Sequence, residues 1–308
     1  MKQRVISVDI FRGLTIALMI LVNTPGTWSA VYPPLLHAEW HGYTPTDLVF
    51  PFFLFIVGTS IVFAYQGKQP GPAVYRKISI RPLKLIGLGL FLGAFTLTFP
   101  FVEPFEEIRF PGVLQRIGVV FFAAAVLFLN VNWKGLLAIA VAILVGYWVW
   151  LGFIPLEGQD PTFDRAPNNW ANYIDLHVFG THMYKADYDP EGLLSTLPSI
   201  VTALLGIFTG LLLVSQQGQK VRKMLLMGGG LLVLGYLWDP VFPINKALWT
   251  SSYVLVTAGW ANLFLALIYY LTDVRGLRFG SIFSYAGANA ITVYFLSSFV
   301  SKLFYLIP

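Results

Sequence analysis

Nine stretches of the chain stay apolar long enough to cross the roughly 30 Å of bilayer hydrocarbon as helices of about 20 residues. They lie near 6–26, 46–66, 79–99, 112–130, 135–153, 193–215, 221–238, 250–271 and 284–306. Most connections between them are short. The pattern therefore predicts an all-α fold, a polytopic integral membrane helical bundle forming a single domain over 1–308. One connection differs: residues 154–192 are polar, rich in Pro, Asp and Asn, and carry Trp170, Tyr173 and Tyr184. Loops of this length are usually functional when ordered, and the aromatic content predicts a cap over one face of the bundle. The first stretch holds Asp9 and Arg12 inside its apolar run and lacks a small-residue cleavage site. It reads as a retained span rather than a signal peptide.

Composition agrees with the pattern. The chain is 56% hydrophobic and 11% charged, whereas an ordinary soluble domain is about 25% charged. The placement of the charges adds orientation. Thirteen of the twenty Lys and Arg residues lie at the N-terminus and in connections on its side, among them Lys2, Arg4, Lys68, Arg76, Lys77, Lys220 and Arg278. The excess of basic residues predicts a cytoplasmic N-terminus. Thirteen of the fifteen acids lie on the other side. That layout favours a cation outside and a polyanion inside, although acids have no reason to sit inside in any case. The net charge of +5 restates the same bias. No basic nucleic-acid motif accompanies it, so the expected partner is the lipid bilayer and not a nucleic acid. The absence of cysteine excludes disulfides, a thiol nucleophile and thiolate metal sites.

Against this background the titratable groups inside or beside the spans stand out, because charge within a membrane is costly and usually paired or functional. Asp9 and Arg12 are three residues apart, hence on one helical face. An intrahelical ion pair and a direct ligand role are both open for them. Arg116, in "FPGVLQRIGVVFF", has no acid within a turn, so its partner is another helix or a ligand. Guanidinium groups commonly hold phosphate, which brings a phosphate-bearing cofactor into view. Asn23 ends the first apolar run, where an amide either caps the helix or supports a carbonyl oxygen or oxyanion.

The segment "LLHAEWHGYTPTDLVFPFF" gathers His37, Glu39, His41 and Asp47 at the edge of an apolar run. Thr44, Pro45 and Asp47 have the form of a helix start, with Thr44 as N-cap, Pro45 first and Asp47 third. An Asp fixed there can also orient a neighbouring imidazole. His37 and His41 are four residues apart, yet the prolines and glycine around them argue against a long helix, and no third ligand follows at a workable spacing. No metal site is expected. His37 has no structural excuse of this kind, and a neutral imidazole is the natural general base near pH 7.

The blocks "SVDIFRGLTIALMILVNTPG", "LLHAEWHGYTPTDLVFPFFLFIVGTS", "FPGVLQRIGVVFF", "YDPEGLLSTLPSIVTALLG", "FPINKALWTSSYVL" and "GANAITVYF" occur in an order that resembles the heparan-α-glucosaminide N-acetyltransferase family, which includes bacterial membrane proteins associated with N-acetylglucosamine utilisation. They run from residue 7 to 295. The resemblance implies a transmembrane acetyltransferase in a bacterial inner membrane. It would take acetyl-CoA from the cytoplasmic side and acetylate the amine of glucosamine or a similar amino sugar outside. It implies His37 as the active-site histidine and Asn23 as its partner; in the reading built on this, Asn23 polarises the thioester carbonyl and Asp47 orients His37. It also matches Asp9, Arg12 and Arg116, together with Asn245 and Lys246 of "FPINK", to family positions, and these are the candidates for holding acetyl-CoA.

Two departures accompany the resemblance. The large luminal domain of the animal enzyme is absent, and the chain stops where relatives continue through a further, tenth span. The acidic outer face suits a free ammonium better than a sulfated polyanion. A homodimer is compatible with the layout. The alternative reading is an amino-sugar transporter without acyl transfer; the position of His37 at a mouth, rather than at mid-span where transporters bind substrate, favours the enzyme.

Overall fold

The computed structural model describes residues 5–277 and 279–306, with Tyr305 described in its backbone only. Lys2, Arg4 and Arg278, used above for orientation, lie outside the described residues. The described chain is helical without strands: α1 Ile6–Asn23, α2 Val49–Tyr65, α3 Pro72–Ala94, α4 Val113–Asn130, α5 Trp133–Phe153, the short α6 Trp170–Phe179, α7 Thr196–Val214, α8 Lys220–Trp238, α9 Ser251–Tyr269, α10 Ser281–Ala288 and α11 Ala290–Leu306.

Seven helical segments among the described residues are long and apolar enough to cross a bilayer, which makes the fold a polytopic membrane bundle. The two further stretches predicted from the pattern take other forms. The third becomes α3, which starts several residues earlier than the apolar run and so adds Arg76 and Lys77 to the Arg81 and Lys84 already within it. The ninth is broken at Asn289 into α10 and α11.

In a bilayer the association of helices depends on close backbone approach at small residues, and two crossings show it. Gly58 of α2 lies against Ala203 of α7, and Gly206 lies against Phe55; a Cβ built on either glycine would fall within 2 Å of a carbonyl oxygen, 1.8 and 1.9 Å respectively. Thr59 Oγ1 donates across the same crossing to the Gly206 carbonyl at 3.0 Å. The α1–α10 crossing is equally tight, with Gly13 against the Phe283 carbonyl and Gly287 against the Asp9 carbonyl. These crossings fix α1 against α10 and α2 against α7, and α1 and α2 both contribute walls to two cavities.

Candidate active site

The 36–48 segment shows how helix-start chemistry and site chemistry share one carboxylate. A 3-10 turn over Pro45–Leu48 leads into α2. Asp47 Oδ2 accepts from the backbone N–H of Thr44 at 2.9 Å and of Ala38 at 3.0 Å. Its other oxygen, Oδ1, accepts from His37 Nδ1–H at 2.6 Å. The Asp47 side chain is 1% exposed, while that of His37 is 46% exposed. The buried carboxylate thus fixes the tautomer. With the Nδ1 proton committed to Asp47, the lone pair of Nε2 is the one free to take a proton. Tyr253 O–H, buried, donates to the Asp47 carbonyl at 2.5 Å and ties the turn to α9.

A second loop brings a cation to the same pair. Gly42 N–H donates to the Ile244 carbonyl at 2.7 Å, laying the 239–250 loop along the His37 segment. Asn245 is fully buried; its Oδ1 accepts from Leu248 N–H at 2.9 Å and its Nδ2 reaches His41 Nδ1 at 3.4 Å. Lys246 follows, and its Nζ lies 2.9 Å from His37 Nδ1, 3.3 Å from Nε2 and 3.3 Å from Asp47 Oδ1. Burial lowers the Lys246 pKa below the usual range, and the nearby Asp47 carboxylate partly offsets this.

These groups line a cavity of about 450 Å³ together with Asn23, Trp28, Trp40, Arg109, Tyr188 and Glu191. The 154–192 segment supplies the last two and closes over the mouth. Arg109 binds it through a paired contact, Nε at 2.8 Å and Nη2 at 2.5 Å to Asp189, with Nη2 also 2.5 Å from Glu191. His41 Nε2 meets Asp164 Oδ1 at 2.9 Å, and Trp40 Nε1–H donates to the Phe163 carbonyl at 2.9 Å. His41 is thereby engaged with the cap rather than with His37. Asp175, buried in α6, accepts from Leu193 N–H at 2.7 Å. Burial raises its pKa to about 7.

A second cavity, of about 710 Å³, opens toward the other end of the bundle and is lined by Asp9, Arg12, Ser60, Arg81 and Asn289 among others. Arg12 donates to Asp9 Oδ1 at 3.3 Å, to the Gly287 carbonyl at 3.1 Å and to Ser60 Oγ at 2.5 Å. The two cavities nearly meet. On α2, Phe50 lines the first and Phe53 the second; on α4 the pair is Val113 and Ile117. Along each helix that separation is about one turn, roughly 5 Å.

The structure therefore sorts the sequence candidates into three places. His37, Asn23, Asp47 and Lys246 share the first cavity; Asp9 and Arg12 line the second. Arg116 and Asn245 line neither. Arg116 is buried, donates through Nη2 to the Gly192 carbonyl at 2.9 Å and to Ser195 Oγ at 2.5 Å, and lies 5.1 Å from the Trp249 ring centroid. Those contacts tie the end of the cap to α4, while Nε and Nη1 of the same guanidinium are buried without a hydrogen-bond partner among the described residues. Lys246, grouped from the sequence with the acetyl-CoA candidates, stands at the His37–Asp47 pair.

Sequence reasoning missed Arg109, Glu191, Arg81 and Asn289. Arg81 was readable only as one of a run of basic residues on the cytoplasmic side. Asn289 sat within an apparently continuous apolar stretch. Arg109 and Glu191 meet across 82 residues of chain, a pairing without a local signal.

Fold and site together define a membrane-embedded helical protein with a half-exposed histidine bonded to a buried aspartate at one end and a cavity lined by Arg12, Arg81 and Asp9 at the other. Residues 4–236 match the family described as heparan-alpha-glucosaminide N-acetyltransferase, catalytic, and the chain belongs to that family. It is 33% identical to the heparan-alpha-glucosaminide N-acetyltransferase of Homo sapiens, across 96% of this chain and 52% of that protein. The corresponding protein of Mus musculus is 31% identical, across 95% of this chain and 53% of its own length. The chain thus spans about half the length of the curated relatives it matches.

Proposed function

We propose that this protein is a transmembrane acetyltransferase that moves an acetyl group from cytoplasmic acetyl-CoA to the amine of glucosamine or a similar amino sugar at the outer face of a bacterial inner membrane. The observation that carries this reading is the His37–Asp47 pair: a buried carboxylate, engaged by Nδ1–H, leaves Nε2 as a base facing a cavity large enough for a sugar. In this reading His37 Nε2 takes the proton of the acceptor amine or briefly carries the acetyl group. Asp47 holds the tautomer and stabilises the imidazolium that forms. Asn23, on the wall of the same cavity, supports the thioester carbonyl as its oxygen gains charge.

The second cavity suits the donor. Two guanidinium groups, a hydroxyl and an amide line it, a donor set matched to a phosphate-bearing molecule. It lies toward the end predicted to be cytoplasmic, and the one-turn separation of the cavities would let a thioester arm approach His37. The 154–192 segment acts as the extracytoplasmic cap of the acceptor site, and a homodimer is the assembly proposed for it.

The test is acetyl transfer from labelled acetyl-CoA to glucosamine by the purified protein, compared with His37→Ala. Two cavities at opposite ends are also what a transporter would possess. Counterflow of labelled amino sugar in proteoliposomes lacking acetyl-CoA separates that reading from the enzyme.

A further inference from the structure

Lys246 stands beside the imidazole that an acceptor amine has to reach. Nδ1 of His37 has its proton engaged by Asp47, so the Lys246 Nζ contact with Nδ1 at 2.9 Å cannot be a hydrogen bond to a lone pair on that atom. Nζ also lies 3.3 Å from Nε2, against the side of the ring that joins the two nitrogens, and a rotation of the lysine side chain is what would bring it onto the Nε2 lone pair, the one a base must offer an incoming amine. The side chain is not a loose surface lysine swinging through the mouth. It is 18% exposed, and its loop is held by the Gly42–Ile244 backbone bond and by buried Asn245. Chemically, a primary amine on a carbon frame is also the group an amino sugar presents.

From these contacts we infer that Lys246 is an internal acetyl acceptor, acetylated by the site itself when no amino sugar is bound. The inference rests on the acetyl-transfer reading and adds a modification site to it. The step balances with the donor that reading already supplies. The Lys246 ammonium first releases one proton to solvent; the neutral Nζ attacks the thioester carbonyl, an N–C bond forms, a second Nζ proton passes to His37 Nε2 and the C–S bond breaks. The proton then goes from His37 to the departing thiolate, leaving N-acetyl-lysine and a free thiol. Depression of the Lys246 pKa by burial eases the first of these events.

The product has consequences for the centre. An acetylated Lys246 has lost its charge and with it the ion pair to Asp47, and its acetamide occupies the space beside Nε2. An acceptor sugar competes with Lys246 for the same lone pair and so protects the enzyme from silencing itself. Donor abundance without acceptor would therefore turn the site off.

The experiment uses the full chain, purified in detergent and incubated with isotopically labelled acetyl-CoA with and without glucosamine, followed by peptide mass spectrometry over Lys246. Label is expected at Lys246 in the absence of sugar and suppressed by glucosamine. In His37→Ala it should fall by about 100-fold, the usual contribution of a general base. Lys246→Arg, which keeps the charge, should carry no label at this position while showing an unchanged melting curve. Labelled glucosamine in the sugar-containing sample, together with unlabelled Lys246 in the sugar-free sample, overturns the inference and leaves the acetyltransferase reading standing. So does equal labelling of Lys246 in the parent and in His37→Ala, which would mark chemical acetylation. If neither sugar nor lysine takes label, both readings fail.

Discussion

Replacing Asp47 by Asn tests how the site sets its base. The two oxygens of Asp47 do separate work: Oδ2 accepts from the Thr44 and Ala38 backbone N–H groups, and Oδ1 from His37 Nδ1–H. An Asn at this position has one oxygen, and the two backbone donors, which cannot move, will claim it. Its amide NH₂ then faces His37 Nδ1 as a donor. The imidazole must answer by moving its proton to Nε2, and the lone pair that should receive the acceptor's proton disappears. The same change in the His–Asp pair of serine proteases costs about 10⁴-fold in kcat, which is roughly 5 kcal/mol of transition-state stabilisation at about 1.4 kcal/mol per decade. Helix-start bonding survives through the retained oxygen, which limits that part of the stability loss to about 1 kcal/mol, the scale of a single cap; loss of the Lys246–Asp47 ion pair adds to it. The assay is steady-state acetyl transfer to glucosamine with a thermal melt on the same preparation. A folded Asp47→Asn protein within tenfold of the parent kcat would refute tautomer control by Asp47.

Four further expectations follow from named contacts. Arg109→Ala leaves the buried Asp189 and Glu191 carboxylates without their cation, a loss of roughly 3–5 kcal/mol by the usual cost of breaking such a group; a melting temperature equal to the parent's would contradict the clamp. Arg81→Ala removes a cation from the larger cavity and should raise KM for acetyl-CoA by about tenfold or more, the value of a charge-assisted hydrogen bond, with kcat changed less; the reverse split would place Arg81 elsewhere in the cycle. Gly206→Ala pushes a methyl group against the Phe55 carbonyl and should destabilise the α2–α7 crossing by about 1–3 kcal/mol, read as earlier thermal aggregation. Asp175 has its pKa raised to about 7 by burial, against about 3.9 in an unfolded chain. Between about pH 4 and pH 7 the folded state keeps a proton that the unfolded state has lost, so this residue makes stability fall as pH rises through that window, by about 4 kcal/mol at most. Asp175→Asn should flatten that fall, and parallel stability–pH curves for the two proteins would contradict it.

Much of this architecture was legible in the sequence because the bilayer imposes a length on every span. The Thr44–Pro45–Asp47 helix start and the singling out of His37 came from local chemistry that acts over a few residues, and such chemistry reads well. What escaped has a common cause. The Lys246–His37 contact depends on two loops lying side by side more than 200 residues apart in sequence, and the Arg109–Asp189 contact spans 80. Arg116 marks a different limit. A lone arginine in a span requires a partner, but sequence alone does not say whether that partner is a ligand or the Gly192 carbonyl and Ser195 hydroxyl that hold it here. The break at Asn289 was invisible because apolar residues flank it on both sides, and hydropathy averages over the gap.

The most direct test of the central claim is the transfer of labelled acetyl from acetyl-CoA to glucosamine by the purified protein and by its His37→Ala variant, each checked for an intact melting transition. N-acetylated sugar is expected from the parent, with a drop of about 100-fold or more, the scale of general-base catalysis, in the variant. Equal product from both proteins would contradict it.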